Sequence, residues 1–336
     1  MNLETLYFFL PAISCAVTFF ILMAMLKMHA SGVFSGMFLD MPNERSLHTL
    51  PVPRFGGIAI MAGILIASVA LPLLRPVILI AVTLAILSAV DDLKGLSPVL
   101  RFSGHIAGAF VFSVHALYGC PVLLIVLATV CVTWMVNLFN FMDGSDGLAG
   151  GMGFWGFLFY GICAIFAQHT GLAILCMCVS GACLGFLCFN FAPARVFMGD
   201  AGSVSLGFLS AATGITGMAQ GIWSLWFPVA VFSPFIVDAT VTLIKRIARG
   251  EKIWLAHRSH YYQRLVQMGF SHRLTALLYY LLMAGSGAGA VMVKMNILPQ
   301  KIFIIFLVLI YLILMALVDK KWSYHLNSKL NKNICK

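Results

Sequence analysis

The sequence predicts an all-α, polytopic integral membrane protein, and three observations predict it. Of 336 residues, 61% are hydrophobic and 10% are charged, against about 45–50% and about 25% in soluble domains. Eleven apolar runs follow one another with short gaps, and about 20 apolar residues make a bilayer-crossing helix. The net charge is +10, and its Lys and Arg fall in alternate gaps. Together these exclude a soluble enzyme, a disordered chain and a fibre. The basic balance is read as topogenic, with the lipid bilayer and not nucleic acid as its partner.

The runs lie near 5–27, 57–74, 77–90, 102–118, 121–139, 148–167, 171–191, 203–218, 222–244, 274–293 and 302–318. With the N-terminus outside, alternation brings all 21 Lys and Arg to one side except Arg75, Lys294 and Lys301. That bias makes the rich side cytoplasmic. The N-terminus is then periplasmic and the C-terminus cytoplasmic. The first run is a retained helix, because no basic residue precedes it and Lys27 is the first lysine. The third run is short, and neighbouring turns must complete it. Pro228 and Pro234 are expected to kink the ninth. No repeat, linker or second domain is visible, so 1–336 reads as one domain. Its polar loops (about 28–56, 91–101, 137–148, 190–203 and 245–273) face the cytoplasm, and 319–336 is a basic tail whose end is solvated. The nine cysteines lie mostly in apolar spans without metal-ligand spacing, and read as packing residues.

The acids follow the same partition, which the charge rule does not demand. Of eleven, only Glu4 maps outside, and Asp238 sits in the ninth run toward its cytoplasmic end. A metal-dependent site at that face would gather them. The plainer explanation is that most long loops are cytoplasmic.

In loop one, 40–57, Pro42, Pro51 and Pro53 keep the chain extended or turned. Asn43, Arg45, His48 and Arg54 offer donors to an anion, and Gly56 and Gly57 permit close backbone approach. Asp91-Asp92 ends the third run, where adjacent carboxylates repel and need a cation. The helix dipole disfavours acids there, and Lys94 is the nearby structural partner. In NLFNFMDGSDGLAGG, 137–151, Asn137, Asn140, Asp143 and Asp146 recur every three residues, one face of a continuing helix. Glycines then open a helix start whose N–H groups suit a phosphate. Carboxylates beside phosphate call for a hard divalent cation, which fits Mg²⁺, although Asp-Gly-x-Asp-Gly is also turn-like. In FNFAPARVFMGDAGS, 189–203, Asn190 and Ser203 are polar, Asp200 offers a second metal ligand, and Phe197 offers a ring for a base or for packing. Asp238, an intramembrane acid, reads as functional or as a partner of Lys245 or Arg246. His257, Arg258 and His260 form a donor cluster suited to a diphosphate, on a stretch that also reads as interfacial and amphipathic.

These motifs, in this order over roughly 35–275, resemble the polyprenyl-phosphate N-acetylhexosamine-1-phosphate transferase family (glycosyltransferase family 4), in its branch that starts bacterial O-antigen and related polysaccharides. The shared pieces are PNERSLH with PVPRFGG, Asp91-Asp92, NLFNFMDGSDGLAG, FMGDAGS and the His-bearing loop. The resemblance implies transfer of the sugar-1-phosphate of a UDP-N-acetylhexosamine to undecaprenyl phosphate, releasing UMP. It implies Mg²⁺, with Mn²⁺ as a substitute, an inner-membrane location, a cytoplasmic site, eleven spans and a homodimer as a candidate assembly. By it, Asp200 and Asp146 hold metal, and Asp91 and Asp92 serve catalysis at the acceptor phosphate. Asn140, Asp143 and Phe197 hold the nucleotide. His257, Arg258 and His260 engage the diphosphate or sugar. The chain has His257-Arg-Ser-His260 where the muramyl-pentapeptide branch carries consecutive histidines, which argues against that substrate. A transporter is the rival of a different class, although transport sites lie near the midplane and these acids sit at one face.

Overall fold

The computed structural model describes residues 3–33, 38–42, 47, 50–71, 74–252, 255 and 257–334. Asn43, Arg45 and His48 lie outside the described residues. Each apolar run overlaps helix among the described residues. The first eight are α1 Leu3–Ala30, α2 Gly56–Ala70, α3 Arg75–Lys94, α4 Pro98–Ala116, α5 Val122–Phe141, α6 Leu148–Phe166, α7 Thr170–Asn190 and α8 Asp200–Ala219. The ninth is broken where the prolines predict. α9 Trp226–Val231 stops at Phe232, and α10 Ser233–Ala248 restarts with Pro234 in its first turn, where a missing N–H costs nothing. The short α11 Tyr261–Gln267 precedes α12 His272–Lys294 and α13 Gln300–Ile334.

Seven of these helices, α1, α3, α5, α6, α7, α12 and α13, contain stretches long and apolar enough to cross a membrane. The chain is an all-α polytopic membrane protein. Among the described residues its β-structure is one two-residue pairing, β1 Leu39–Asp40 antiparallel to β2 Val52–Pro53, with Asp40 opposite Val52.

α8 is the central rod, buried continuously from Ala201 to Gly214. Its small residues make that possible, because backbones approach closely where side chains are absent. A Cβ on Gly57 would fall 2.1 Å from the Gly202 nitrogen, and one on Gly207 would fall 2.7 Å from the Met135 carbonyl oxygen. α2 and α5 therefore touch α8 backbone to backbone. Gly57→Val is expected to cost at least ~2 kcal/mol, because the obstacle is main chain and cannot rotate away. Thermal unfolding in detergent checks this, and an unchanged midpoint would contradict it. Phe139, Phe157, Tyr160, Phe227, Phe232 and Phe235 fill the space between α5, α6 and the broken ninth rod. Cys163, Cys176, Cys178 and Cys183 are buried as packing residues, whereas Cys131 and Cys188 are exposed on helix surfaces.

α13 does not end in a loose tail. It continues as helix to Ile334, and its first turns beyond the apolar run dock on α11. Asp319 accepts from Arg264 at 2.9 Å and from the Tyr261 hydroxyl at 3.2 Å, and it also pairs with Lys245. The Arg264 guanidinium stacks between Tyr261 and Trp322, 4.9 and 5.9 Å from their centroids. Lys321 lies over Phe270. Of the end expected to be solvated, 322–336, Trp322 departs from that expectation because its ring serves Arg264.

Candidate active site

One end of the bundle gathers the start of α2, α6, α8 and α12 with the finish of α3, α5 and α7. Between them lies a cleft of about 250 Å³, lined by the side chains of Arg54, Asp92, Asn140, Asp143, Asp146 and Asp200 among others. Asn190 and Phe197 also line it. Eight residues singled out from the sequence thus meet in one place. The loops reach this geometry by pairing with one another. Phe197 N–H donates to the Pro53 carbonyl at 2.7 Å, Gly56 N–H to Phe197 at 2.9 Å, and Gly57 N–H to Met198 at 2.8 Å. Loop one and the 191–199 loop therefore run as a short backbone ladder. Gly199 has φ +70°, and a Cβ there would meet the Arg54 carbonyl at 2.8 Å, so the turn into Asp200 requires glycine.

Asn190 staples the two glycine-rich loops. Its Oδ1 accepts the Gly147 N–H at 2.9 Å, and its amide donates to the Val196 carbonyl at 2.9 Å. Asn140 accepts from Ser203 Oγ at 3.2 Å and hydrogen-bonds Asp200. Asp146 accepts the Ala194 N–H at 3.0 Å. The expected single face of Asn137, Asn140, Asp143 and Asp146 is not formed. α5 stops at Phe141, and Gly144 and Gly147 turn the chain, so Asp143 and Asp146 reach the cleft from a loop. Asn137 instead donates to Thr133 of its own helix at 2.8 Å and lines an apolar groove with Phe102, Trp134 and Leu243.

The adjacent Asp91 and Asp92 divide their work. Asp92 lines the cleft and pairs with Arg54 at 3.4 Å. Asp91 turns toward the following loop, where it accepts the Leu96 N–H at 2.7 Å and pairs with Arg101 at 3.2 Å. Arg101 also reaches Asp200 at 3.3 Å. The partners of the pair are thus arginines from two other segments rather than Lys94.

The cleft is over-supplied with carboxylate. Asp40, Asp92, Asp143, Asp146 and Asp200 line it against Arg54 and His272. Burial pushes the Asp143 carboxyl well above its ordinary range, and the charges of Asp200, Asp40 and Asp92 push it further. Burial also raises Asp200, with Arg101 opposing. Among the described residues no three His, Cys, Asp or Glu are set closely enough to form a ready cage. The donor set is nonetheless all hard oxygen with uncompensated negative charge. That fits Mg²⁺, which keeps waters, takes one or two carboxylates and completes its shell with substrate phosphates.

The last loop behaves differently from expectation. His260 is buried, 3.4 Å from Asp238 and stacked near Phe141 and Tyr262. Asp238 accepts the Tyr261 and Tyr262 N–H groups at 2.8 and 3.0 Å, and the Tyr279 hydroxyl as well. Its carboxylate therefore caps α11, while Lys245 and Arg246 pair with Asp319 and Glu251. Burial first, then His260, Arg246 and Arg264, lower the His257 pKa to about 4. His257 bonds Ser259, and the Arg258 carbonyl accepts from Gln267. Neither His257, Arg258 nor His260 is among the cleft-lining residues; Gln263 and His272 are. Those two, with Asp40, Leu47 and the adjacent Arg101, were not found from the sequence. His272 had one signal, its place just inside a Ser-capped helix start.

The fold and cleft define a class: a membrane-embedded protein with one polar, carboxylate-rich end. Comparison narrows it. The sequence model described as glycosyl transferase family 4 matches residues 74–218. The chain is 31% identical over 291 residues to a decaprenyl-phosphate N-acetylglucosaminephosphotransferase of Mycobacterium leprae, covering 71% of this chain and 73% of that one. It is 29% identical to a probable undecaprenyl-phosphate N-acetylglucosaminyl 1-phosphate transferase of Bacillus subtilis, over 85% and 86% of the two chains. A phospho-N-acetylmuramoyl-pentapeptide-transferase of Picosynechococcus is 35% identical, but over only 54% of this chain. The chain belongs to the polyprenyl-phosphate N-acetylhexosamine-1-phosphate transferases of glycosyl transferase family 4.

Proposed function

We propose that this protein transfers N-acetylhexosamine-1-phosphate from a UDP-N-acetylhexosamine to undecaprenyl phosphate, in a bacterial inner membrane with the cleft facing the cytoplasm. The products are undecaprenyl-diphospho-sugar and UMP, and the step opens synthesis of an O-antigen or related polysaccharide. The observation that carries this is the cleft, where Asp92, Asp143, Asp146 and Asp200 converge beside Arg54 and Asn140. The relatives named for N-acetylglucosamine match most of their length, which makes UDP-N-acetylglucosamine the first donor to try. Eleven spans, an outer N-terminus and an inner C-terminus complete the reading.

Bound Mg²⁺ would be held by Asp200 and Asp146 and would supply charge neutralisation at the diphosphate. A phosphomonoester has its second pKa near ~6, so the acceptor arrives largely dianionic and needs no base. Asp92 and Arg54 then orient the acceptor oxygen toward the sugar-side phosphorus. The new P–O bond forms as the bond to UMP breaks. Asp91 positions Arg101, which bridges to Asp200. Asn140 and Asp143 hold the nucleotide, with Phe197 offering its ring to the base. Asn43, Arg45 and His48 remain proposed anion contacts, whereas His257, Arg258 and His260, which do not line the cleft, are given no substrate contact.

Purified protein in detergent with Mg²⁺, undecaprenyl phosphate and UDP-N-acetylglucosamine is expected to release UMP, and to stop on chelation. A panel of 6-deoxy donors names the sugar. A phosphorylated protein trapped in a single turnover would replace direct attack with a covalent route. Substrate flux into proteoliposomes without UMP release would favour a transporter.

A further inference from the structure

Beside Asp146 the cleft wall carries a side chain that no loop motif accounts for. His272 is the first residue of α12, behind the cap residue Ser271, and it lines the cleft. One ring nitrogen is committed. Ser145 Oγ lies 3.0 Å from Nδ1, and the Asp146 backbone N–H donates to the same atom at 3.4 Å. Asp146 Oδ1 lies 3.5 Å from Nδ1 as well, and where Nδ1 accepts the backbone N–H the ring proton is on Nε2. That atom, at the far edge of the ring, has no partner among the described residues. The side chain is 22% exposed, so it is held at one end and reachable at the other. A donor oriented in advance loses little freedom when a ligand arrives.

We infer that His272 binds the nucleotide sugar directly, its Nε2–H donating to an uncharged acceptor oxygen, a hydroxyl or a carbonyl, of that substrate. The inference rests on the transferase reading above. In that reading Asp146 and Asp200 with their cation serve the diphosphate and Asp92 and Arg54 the acceptor, so a further donor on this wall is left for neutral oxygens of the sugar or the nucleoside. A fixed donor suits those, because an analogue lacking the acceptor leaves it unpaired.

The competing role is a tether, in which His272 only holds Ser145 and Asp146 through Nδ1. Two isosteres separate these roles. In His272→Gln the amide reaches the place of Nε2 and loses Nδ1; in His272→Asn it reaches the place of Nδ1 and loses Nε2. Direct binding predicts that Gln keeps the donor KM within about twofold. Asn then raises it about tenfold, the loss of one hydrogen bond. The donor KM is read against the KM for undecaprenyl phosphate in the same variant, because direct binding concerns the donor alone. The reverse order, or no difference among the three proteins, overturns the proposal. Calorimetric titration with UMP and with UDP-N-acetylglucosamine locates the acceptor. Weakening of both by His272→Asn assigns the nucleoside, weakening of the nucleotide sugar alone assigns the sugar, and weakening of neither overturns the proposal. Absence of UMP release by wild type with every donor would instead fail the transferase reading, while the titrations still test His272.

Discussion

Asp200→Asn is expected to lower UMP release by more than about 100-fold, since even partners one shell removed from a metal cost 10–100-fold when lost. The change is nearly isosteric, and it removes charge from a cleft that holds too much of it. Burial and neighbouring carboxylates already disfavour the ionised form of Asp200. The variant is therefore expected to unfold at the same temperature as wild type or a higher one. Arg101 keeps Asp91 as a partner, so its docking survives. Lost turnover with undiminished thermal stability is the signature of a site residue. Retained turnover would remove Asp200 from the chemistry and with it the proposed metal position.

Asp238→Ala is expected to have the opposite profile, a large loss of stability with catalysis falling as a consequence. The carboxylate is buried and satisfies two backbone N–H groups and a tyrosine hydroxyl, with His260 beside it. Removing it leaves those donors in a site that water does not reach, at a cost of about 3–5 kcal/mol. α11 then loses the cap at its start. Tyr262, whose hydroxyl bonds the Phe141 carbonyl at 3.0 Å and fills the space above Gly144, moves with it. Thermal unfolding in detergent should fall by several degrees, and donor KM should rise because Gln263 leaves the cleft wall. An unfolding midpoint equal to wild type would show that the cap is dispensable.

The sequence carried the bundle and most of the cleft, for physical reasons that are visible in particular residues. Apolar runs bounded by charge predict where a helix enters lipid, and the broken ninth rod follows from Pro228 and Pro234. Asp92, Asp143, Asp146 and Asp200 stood out because carboxylates are costly in an apolar chain. The orientation of each was another matter. Asp91 and Asp92 are adjacent in α3 and so diverge, but which of them enters the cleft follows from the packing of α3, with Arg54 and Arg101, far apart in sequence, as their partners. Asn137 carried the expected spacing, but α5 ends four residues later and the spacing loses its meaning. His257 and His260 read as donors to a diphosphate by type, while the fold turns His260 toward Asp238 and presents Gln263 and His272 instead. Side-chain identity was legible; the direction set by long-range packing was not.

The clasp of Asp319 on Lys245, Tyr261 and Arg264 bears on how the molecule is made. A chain is synthesised from its N-terminus, and its early parts fold first. The carboxylates of the cleft and α11 all emerge before α13 does. Until that last helix enters the bilayer and brings Asp319 alongside, Lys245 and Arg264 lack their shared carboxylate and α11 is held at one end only. The clasp that steadies α11, and with it the Gln263 part of the cleft wall, is thus completed late in synthesis, by a helix that lines no part of the cleft.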